Sequence, residues 1–234
     1  VKKRKINSIL KIIAWLALII CLAIGVYCIY QQYSQPVTIT VNSSSKDLAV
    51  NALNNLEVKA QESGEDYDRG EFLSSWGKWV TGCNVRQKIL NRDIKKITHA
   101  SNGCTVTSGE LDDPYSGEVI ELRNKSAVTH KVQIDHVVAL SNAWRTGAQH
   151  LSEKERNQLA NDDLELIAVS SQTNQDKSDG DASEWLPENT AFHCEYIARQ
   201  IAVKIKYHLW VTASERNAMV GVLKTCPDQK LPAE

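Results

Sequence analysis

The side chains best suited to chemistry lie in two short runs. The first is Gln133, Ile134, Asp135, His136, Val137 and Val138, and the second runs through Ser170, Ser171, Gln172, Thr173, Asn174, Gln175, Asp176, Lys177, Ser178 and Asp179. Phosphodiester hydrolysis needs a water deprotonated near neutral pH, which suits a histidine, and a divalent cation to stabilise charge on the phosphate and leaving oxygen. Asp135 and His136 supply both types, while Asn174 adds an amide ligand and Lys177 a cation. Alone, an Asp-His pair in a strand is more often a buried imidazole held by its carboxylate, and it is the second run that favours catalysis. Neighbouring side chains of a strand face opposite sides, so Asp135 and His136 can serve one site only where the strand ends or bends. Such an end is expected just before Leu140, Ser141 and Asn142.

The elements that must position these runs follow from periodicity. Residues 131–138 and 164–170 are expected as strands, with short helical segments over 139–147 and 152–161 between them, and a polar stretch, helical or looped, from Thr173 to Trp185. Upstream, Val85, Ile89, Leu90 and Ile94 recur at helical spacing over 84–97, ringed by Arg86, Lys88, Arg92, Lys95 and Lys96, which makes this helix the best basic patch. Residues 104–111 and 119–123 alternate on either side of the turn-rich Asp112, Asp113, Pro114, Tyr115, Ser116 and Gly117, so a hairpin is expected. Two longer amphipathic helices close the chain, over 193–209 and 212–225. His193 and His208 are read as packing residues on them, and Trp76, Trp79, Trp185 and Trp210 as core.

DHVVALSNAW followed by NDDLELIAVSSQTNQDKSDG resembles the HNH, or ββα-metal, nucleases, and in particular the actinobacterial exported type grouped with the GmrSD C-terminal nuclease domain (DUF1524-like). The likeness extends over most of 67–226, through GCNVRQKIL, SGELDDPYSGE, DASEWLPEN and FHCEYIARQIAVK. The Asp-His and Asn-x-x-Lys-Ser-Asp arrangement also resembles the HNH domain of CRISPR effector nucleases. The resemblance implies an α+β fold with a ββα-metal core, surrounding helices and a hairpin. It implies His136 as general base, Asp135 and Asn174 as metal ligands, and Lys177 near the phosphate. Mg²⁺ or Mn²⁺ is the implied ion, because oxygen ligands suit hard cations; Zn²⁺ fits less well, since the second histidine of zinc-binding members is missing. Ala139 stands where many HNH proteins carry proline. The third ligand stays open between Asp179 and water, and the middle asparagine between Asn161 and Glu165. Arg145 could clamp a phosphate or cap a helix end over Trp144, and Arg86 and Arg92 could line a nucleic-acid groove or a solvated face.

Composition bounds the rest. Lys2, Lys3, Arg4 and Lys5 precede the charge-free residues 12–30, which are long enough to span a bilayer and oriented to leave the remainder of the chain outside. Bulky Val26, Tyr27, Cys28, Ile29 and Tyr30 favour an uncleaved anchor over a cleaved signal peptide, in which case the chain would be secreted. The expected organisation is a basic tip and anchor over 1–30, a stalk over 31–66, a nuclease domain over 67–226 and a tail over 227–234. Cys83, Cys104, Cys194 and Cys226 lie in the exported part, where disulfides persist. Of the three possible connectivities, Cys83 with Cys104 and Cys194 with Cys226 is preferred because each pair closes a local loop.

Beyond Tyr30 there are 22 Lys and Arg against 28 Asp and Glu, a net of −6. The bulk field therefore repels a polyanion, and any nucleic-acid binding must rest on a local basic patch and a bound cation. Nucleic acid, DNA ahead of RNA, is the expected substrate, and the membrane is the other partner, through the N-terminal helix; no protein partner is implied. The rival reading is an inactive envelope binding protein that keeps the nuclease-like fold. A serine or cysteine hydrolase is disfavoured, because no GxSxG-type turn is present.

Overall fold

The computed structural model describes residues 48–72, 75–80 and 82–232, together with Cys21, Ile24 and Gly25. Among the described residues no helix is long and apolar enough to cross a membrane. The stretch 12–30 expected as an anchor lies outside them, apart from those three residues. The chain divides at Val37 and Thr38 into two units, and the site belongs to the second.

The elements of this unit, in chain order, are α1 (Ala49–Asn54), β1 (Lys78–Val80), β2 (Cys83–Asn84), α2 (Val85–Asp93), β3 (Ile94–His99), β4 (Val106–Asp112), β5 (Val119–Leu122), α3 (Lys125–Lys131), β6 (Val132–His136), α4 (Leu140–Arg145), α5 (Glu153–Ala160), β7 (Leu166–Ser170), α6 (Ser171–Lys177), α7 (His193–Lys206) and α8 (Ala213–Leu223). Among the described residues the fold is a mixed α+β arrangement with three small antiparallel sheets, β1-β2, β3-β4-β5 and β6-β7.

The β6-β7 pair forms the partition of the molecule. Its register sets Asp135 against Ile167 and His136 against Leu166. Because side chains alternate across a strand, Leu166 and Ala168 enter one core with Val132, Ile134, Ile89, Leu90 and Leu111. Ile167 and Val169 enter the other, where α1, α4, α7 and α8 bury Leu53, Trp144, Ile197, Ile201, Val220 and their neighbours. A strand buried on both faces reads as a continuous apolar run, which is why β7 is legible as Leu166, Ile167, Ala168 and Val169. Reciprocal capping boxes at Ser152 and Glu155 and at Thr212 and Glu215 fix the starts of α5 and α8, each cap contributing about 1 kcal/mol.

Both expected disulfides are present, Cys83 with Cys104 and Cys194 with Cys226, with Cα separations of 6.3 and 6.4 Å. Some expectations need correction. The helix foreseen over 84–97 stops at Asp93, and the chain continues as β3. Ile94 is buried as a strand residue opposite Leu111 rather than as the next helical position, and the β-branched Ile94, Ile97 and Thr98 favour a strand. Trp79 is 36% exposed on the β1-β2 hairpin rather than core, and His208 is exposed with a left-handed φ of 53°. Trp185 and Trp210 pack inside as foreseen, and His193 is half-buried and donates to the Pro187 carbonyl. Within the span read as a stalk, Leu48, Ala49, Val50, Ala52 and Leu53 are buried in the main core, and Leu48 and Ala49 pair with the chain near Lys230.

Candidate active site

A cleft of about 660 Å³ opens at the end of β6, lined by Gln133, Asp135 and His136 of the strand, Asn174 and Gln175 of α6, Arg86 of α2, and Arg69 and Trp76 from the segment before β1. The three residues expected to converge, Asp135, His136 and Asn174, therefore share one cavity although they come from two elements. The positioning follows from two periodicities. Gln133 and Asp135 are two apart and share a face of β6, while Asn174 and Lys177 are three apart and share a face of α6. The faces meet pairwise: Asn174 Nδ2 donates to Gln133 Oε1 at 2.7 Å, and Lys177 Nζ donates to Asp135 Oδ1 at 3.0 Å.

His136, the last residue of β6, turns the other way. Its ring stacks on Trp76, with centroids 5.9 Å apart and planes 5° from parallel, and its Nε2 lies 3.1 Å from the Ala160 carbonyl. A carbonyl only accepts, so Nε2 carries the proton and the lone pair is on Nδ1, which makes no hydrogen bond among the described residues. Burial, with Arg69 adding positive charge, lowers the imidazole pKa to about 3, so the ring is neutral at physiological pH. Asn161 ties this arrangement together. Its Oδ1 accepts from the Gly77 backbone, next to Trp76, and its Nδ2 donates to Asn157, so it fixes both the carbonyl beside it and the indole that clasp the histidine. Glu165, the other candidate for that place, is fully buried in the main core, and burial pushes its carboxyl well above the usual range.

Asp135 faces inward. Its carboxylate accepts from Tyr115 Oη at 2.5 Å and from Lys177, whose ammonium also donates to the His136 carbonyl at 2.8 Å. Burial raises the Asp135 pKa, and the Lys177 charge and the Tyr115 hydroxyl oppose that rise. Lys177 is itself buried at 1% exposure, beneath the cleft rather than in it. Strand alternation thus gives Asp135 and His136 separate partners, and they meet only at the cleft wall.

By residue type the wall carries donors for a hard cation, the Asp135 carboxylate with the Asn174 and Gln133 amide oxygens, but both Asp135 oxygens already accept from Tyr115 and Lys177, and Gln133 Oε1 accepts from Asn174. Mg²⁺ is commonly held by one or two carboxylates, with water and substrate phosphate completing its shell. Lys177 on the same carboxylate makes that hold weak. Among the described residues there is no group of three or more His, Cys, Asp or Glu that could hold a metal.

The other expected cations separate. Arg86 lines the cleft; one guanidinium nitrogen donates to the Val132 carbonyl and the other, Nη1, is buried with no partner among the described residues. Arg92 is not in the cleft wall: it pairs with Asp93 and donates to the carbonyls of Asp163 and Leu166, bracing β7. Arg145 also stands outside the wall and pairs with Asp179 at 3.0 Å, so Asp179 is committed to Arg145 and Ser141 rather than to a third ligand position. Sequence reasoning did not single out Arg69, Gln133 or Tyr115. Gln133 had a usable signal, its two-residue spacing from Asp135. Arg69 had none, because its place depends on how the segment before β1 docks.

Residues 84–222 match the family described as the C-terminal domain of GmrSD restriction endonucleases. A protein of Arthroderma benhamiae named "Uncharacterized secreted protein" is 35% identical over 196 residues, covering 82% of this chain and 91% of that protein. No solved structure matches the chain.

Proposed function

Given that this chain belongs to the family of GmrSD restriction endonuclease C-terminal domains, we propose that it is a metal-dependent endonuclease of the HNH type, which hydrolyses nucleic-acid phosphodiesters, DNA ahead of RNA, outside the cytoplasmic membrane. The observation that carries the reading is the state of His136: its Nε2–H is spent on the Ala160 carbonyl while the unprotonated Nδ1 belongs to a ring in a cleft that also holds Arg86 and Arg69. The antiparallel pair β6-β7 followed directly by α6 supports a ββα core.

In this reading His136 Nδ1 accepts the proton of the attacking water. The Ala160 carbonyl holds the tautomer and stabilises the imidazolium that forms. Asp135 and Asn174 would hold a Mg²⁺ or Mn²⁺ ion, with Gln133 orienting the Asn174 amide; when bound, such an ion stabilises charge on the phosphate and leaving oxygen. Lys177 acts one layer below, setting the carboxylate of Asp135 and the backbone of His136 rather than touching the phosphate. Arg86, anchored on the Val132 carbonyl, contributes positive charge to the cleft wall. Two disulfides suit an oxidising compartment, and the related fungal protein is named as secreted. The segment 12–30 would tether the domain to the membrane.

The test is incubation of the full chain with supercoiled plasmid and with RNA, in Mg²⁺, in Mn²⁺ and in chelator. Cleavage is expected only with metal, and His136→Ala should lower it by about a hundredfold or more. Cutting that survives both chelator and His136→Ala would reject the mechanism. Binding without cutting under any metal would favour an inactive binding protein, the reading to which the net charge of −6 lends weight.

A further inference from the structure

The family-matched region begins at residue 84, yet two residues of the cleft wall, Arg69 and Trp76, precede it. Arg69 sits on a one-turn 3-10 helix, Arg69–Glu71, whose start is fixed by Asp68 accepting from the Gly70 backbone at 2.7 Å. This turn is fastened to α5. Arg156 pairs with the Glu71 carboxylate at 2.7 Å and donates to the Glu71 carbonyl at 2.9 Å, and Asn157 donates to the Phe72 carbonyl at 3.2 Å. Phe72 is buried against Trp144 in the main core, ring centroids 6.1 Å apart. The same helix α5 ends at Ala160, whose carbonyl holds His136. The backbone that carries Arg69 is therefore held by the element that holds the candidate base.

The Arg69 side chain is exposed, and among the described residues it has neither an ion-pair partner nor a hydrogen bond. That sets it apart from Arg92, Arg145 and Arg156, each spent on a carboxylate. In an exported part with a net charge of −6, a guanidinium left without a carboxylate in a cleft wall is placed for an anion, and its planar fork suits a phosphate.

We propose that Arg69 is a phosphate-binding residue of the cleft, supplied from outside the family-matched region, and that with Arg86 it forms a two-cation seat for a backbone phosphate of the nucleic acid beside His136. The proposal rests on the nuclease reading for the identity of the anion.

The test separates the two. Binding of a short fluorescent DNA duplex is followed by anisotropy across a salt series for full-length His136→Ala, and for the same variant carrying Arg69→Ala, Arg69→Lys or Arg123→Ala. Arg123 is an exposed cation outside the cleft wall. Arg69→Ala should weaken binding about tenfold or more and make the log-log salt slope shallower by about one; Arg69→Lys should keep the slope, and Arg123→Ala should change neither. Affinity and slope unmoved by Arg69→Ala would overturn the proposal, as would absence of binding by the parent. Cleavage by the otherwise unaltered chain, run alongside, decides the nuclease reading. If that chain cuts while Arg69→Ala leaves KM and kcat unchanged, the seat is refuted and the nuclease stands. If it does not cut at all, the nuclease reading falls and the binding series still decides Arg69.

Discussion

Glu165 shows what burial does to a single side chain. Its Oε2 accepts from the Val138 backbone at 3.2 Å, its Oε1 has no partner among the described residues, and its carboxyl is held well above the usual value, first by burial. Its folded pKa exceeds its unfolded one, so its contribution to stability is fully present below about pH 4.5 and is lost as pH rises toward the folded value. Glu165→Gln keeps an acceptor for Val138 and removes this loss. The difference in unfolding free energy between variant and parent should therefore move in the variant's favour from pH 5 to pH 8, by at most about 1.4 kcal/mol per pH unit. Denaturant titrations that run parallel at every pH would show that the carboxyl ionises normally. At this scale His136, Asp135 and Asn174 were legible in the sequence because their residue types name their chemistry. The inward turn of Asp135 toward Tyr115 and Lys177 was not, since Tyr115 comes from a distant turn and Lys177 was expected near the phosphate.

Between elements, the decisive contact is the clasp of α6 on β6. Two side chains of one helix face meet two of one strand face, and the inner pair, Lys177 with Asp135, is buried on both sides, at 0% and 7% side-chain exposure. Breaking a buried pair by removing one partner costs about 3–5 kcal/mol, because the remaining charge has no counter-ion. Lys177→Met should lower the unfolding free energy by about that much, whereas the paired change Lys177→Met with Asp135→Leu should recover a large part of it. A single variant as stable as the parent in thermal and chemical unfolding would mean that the pair does not clamp the helix. The strands and helices around this clasp were readable where burial is one-sided or complete, as in β7 and α7. Reading failed at the junction of α2 and β3, where apolar residues at 85, 89, 90 and 94 continue one helical rhythm across a change of structure. Pairing of Ile94 with Leu111, which no local pattern encodes, decides it.

For the molecule as a whole, the two cores meet at the β6-β7 pair, and the cleft opens where that partition ends. The segment before residue 84 is part of this design. Its Trp76 backs the histidine, its Gly77 is tied to Asn161, and its Arg69 reaches the cleft wall. A negatively charged domain can then present a small cationic site without a basic surface. The global composition argued against a nucleic-acid partner, and only the folded arrangement places Arg69 and Arg86 in one cleft wall. Whether the lone pair of His136 Nδ1 serves as the base for phosphodiester cleavage is read out by chemical rescue. Full-length His136→Gly is assayed on plasmid with Mg²⁺ over increasing free imidazole. With His136 as the base, the variant should be nearly inactive and imidazole should restore cutting in a saturable, pH-dependent way. Cutting by His136→Gly at the parent's rate without imidazole would contradict that role.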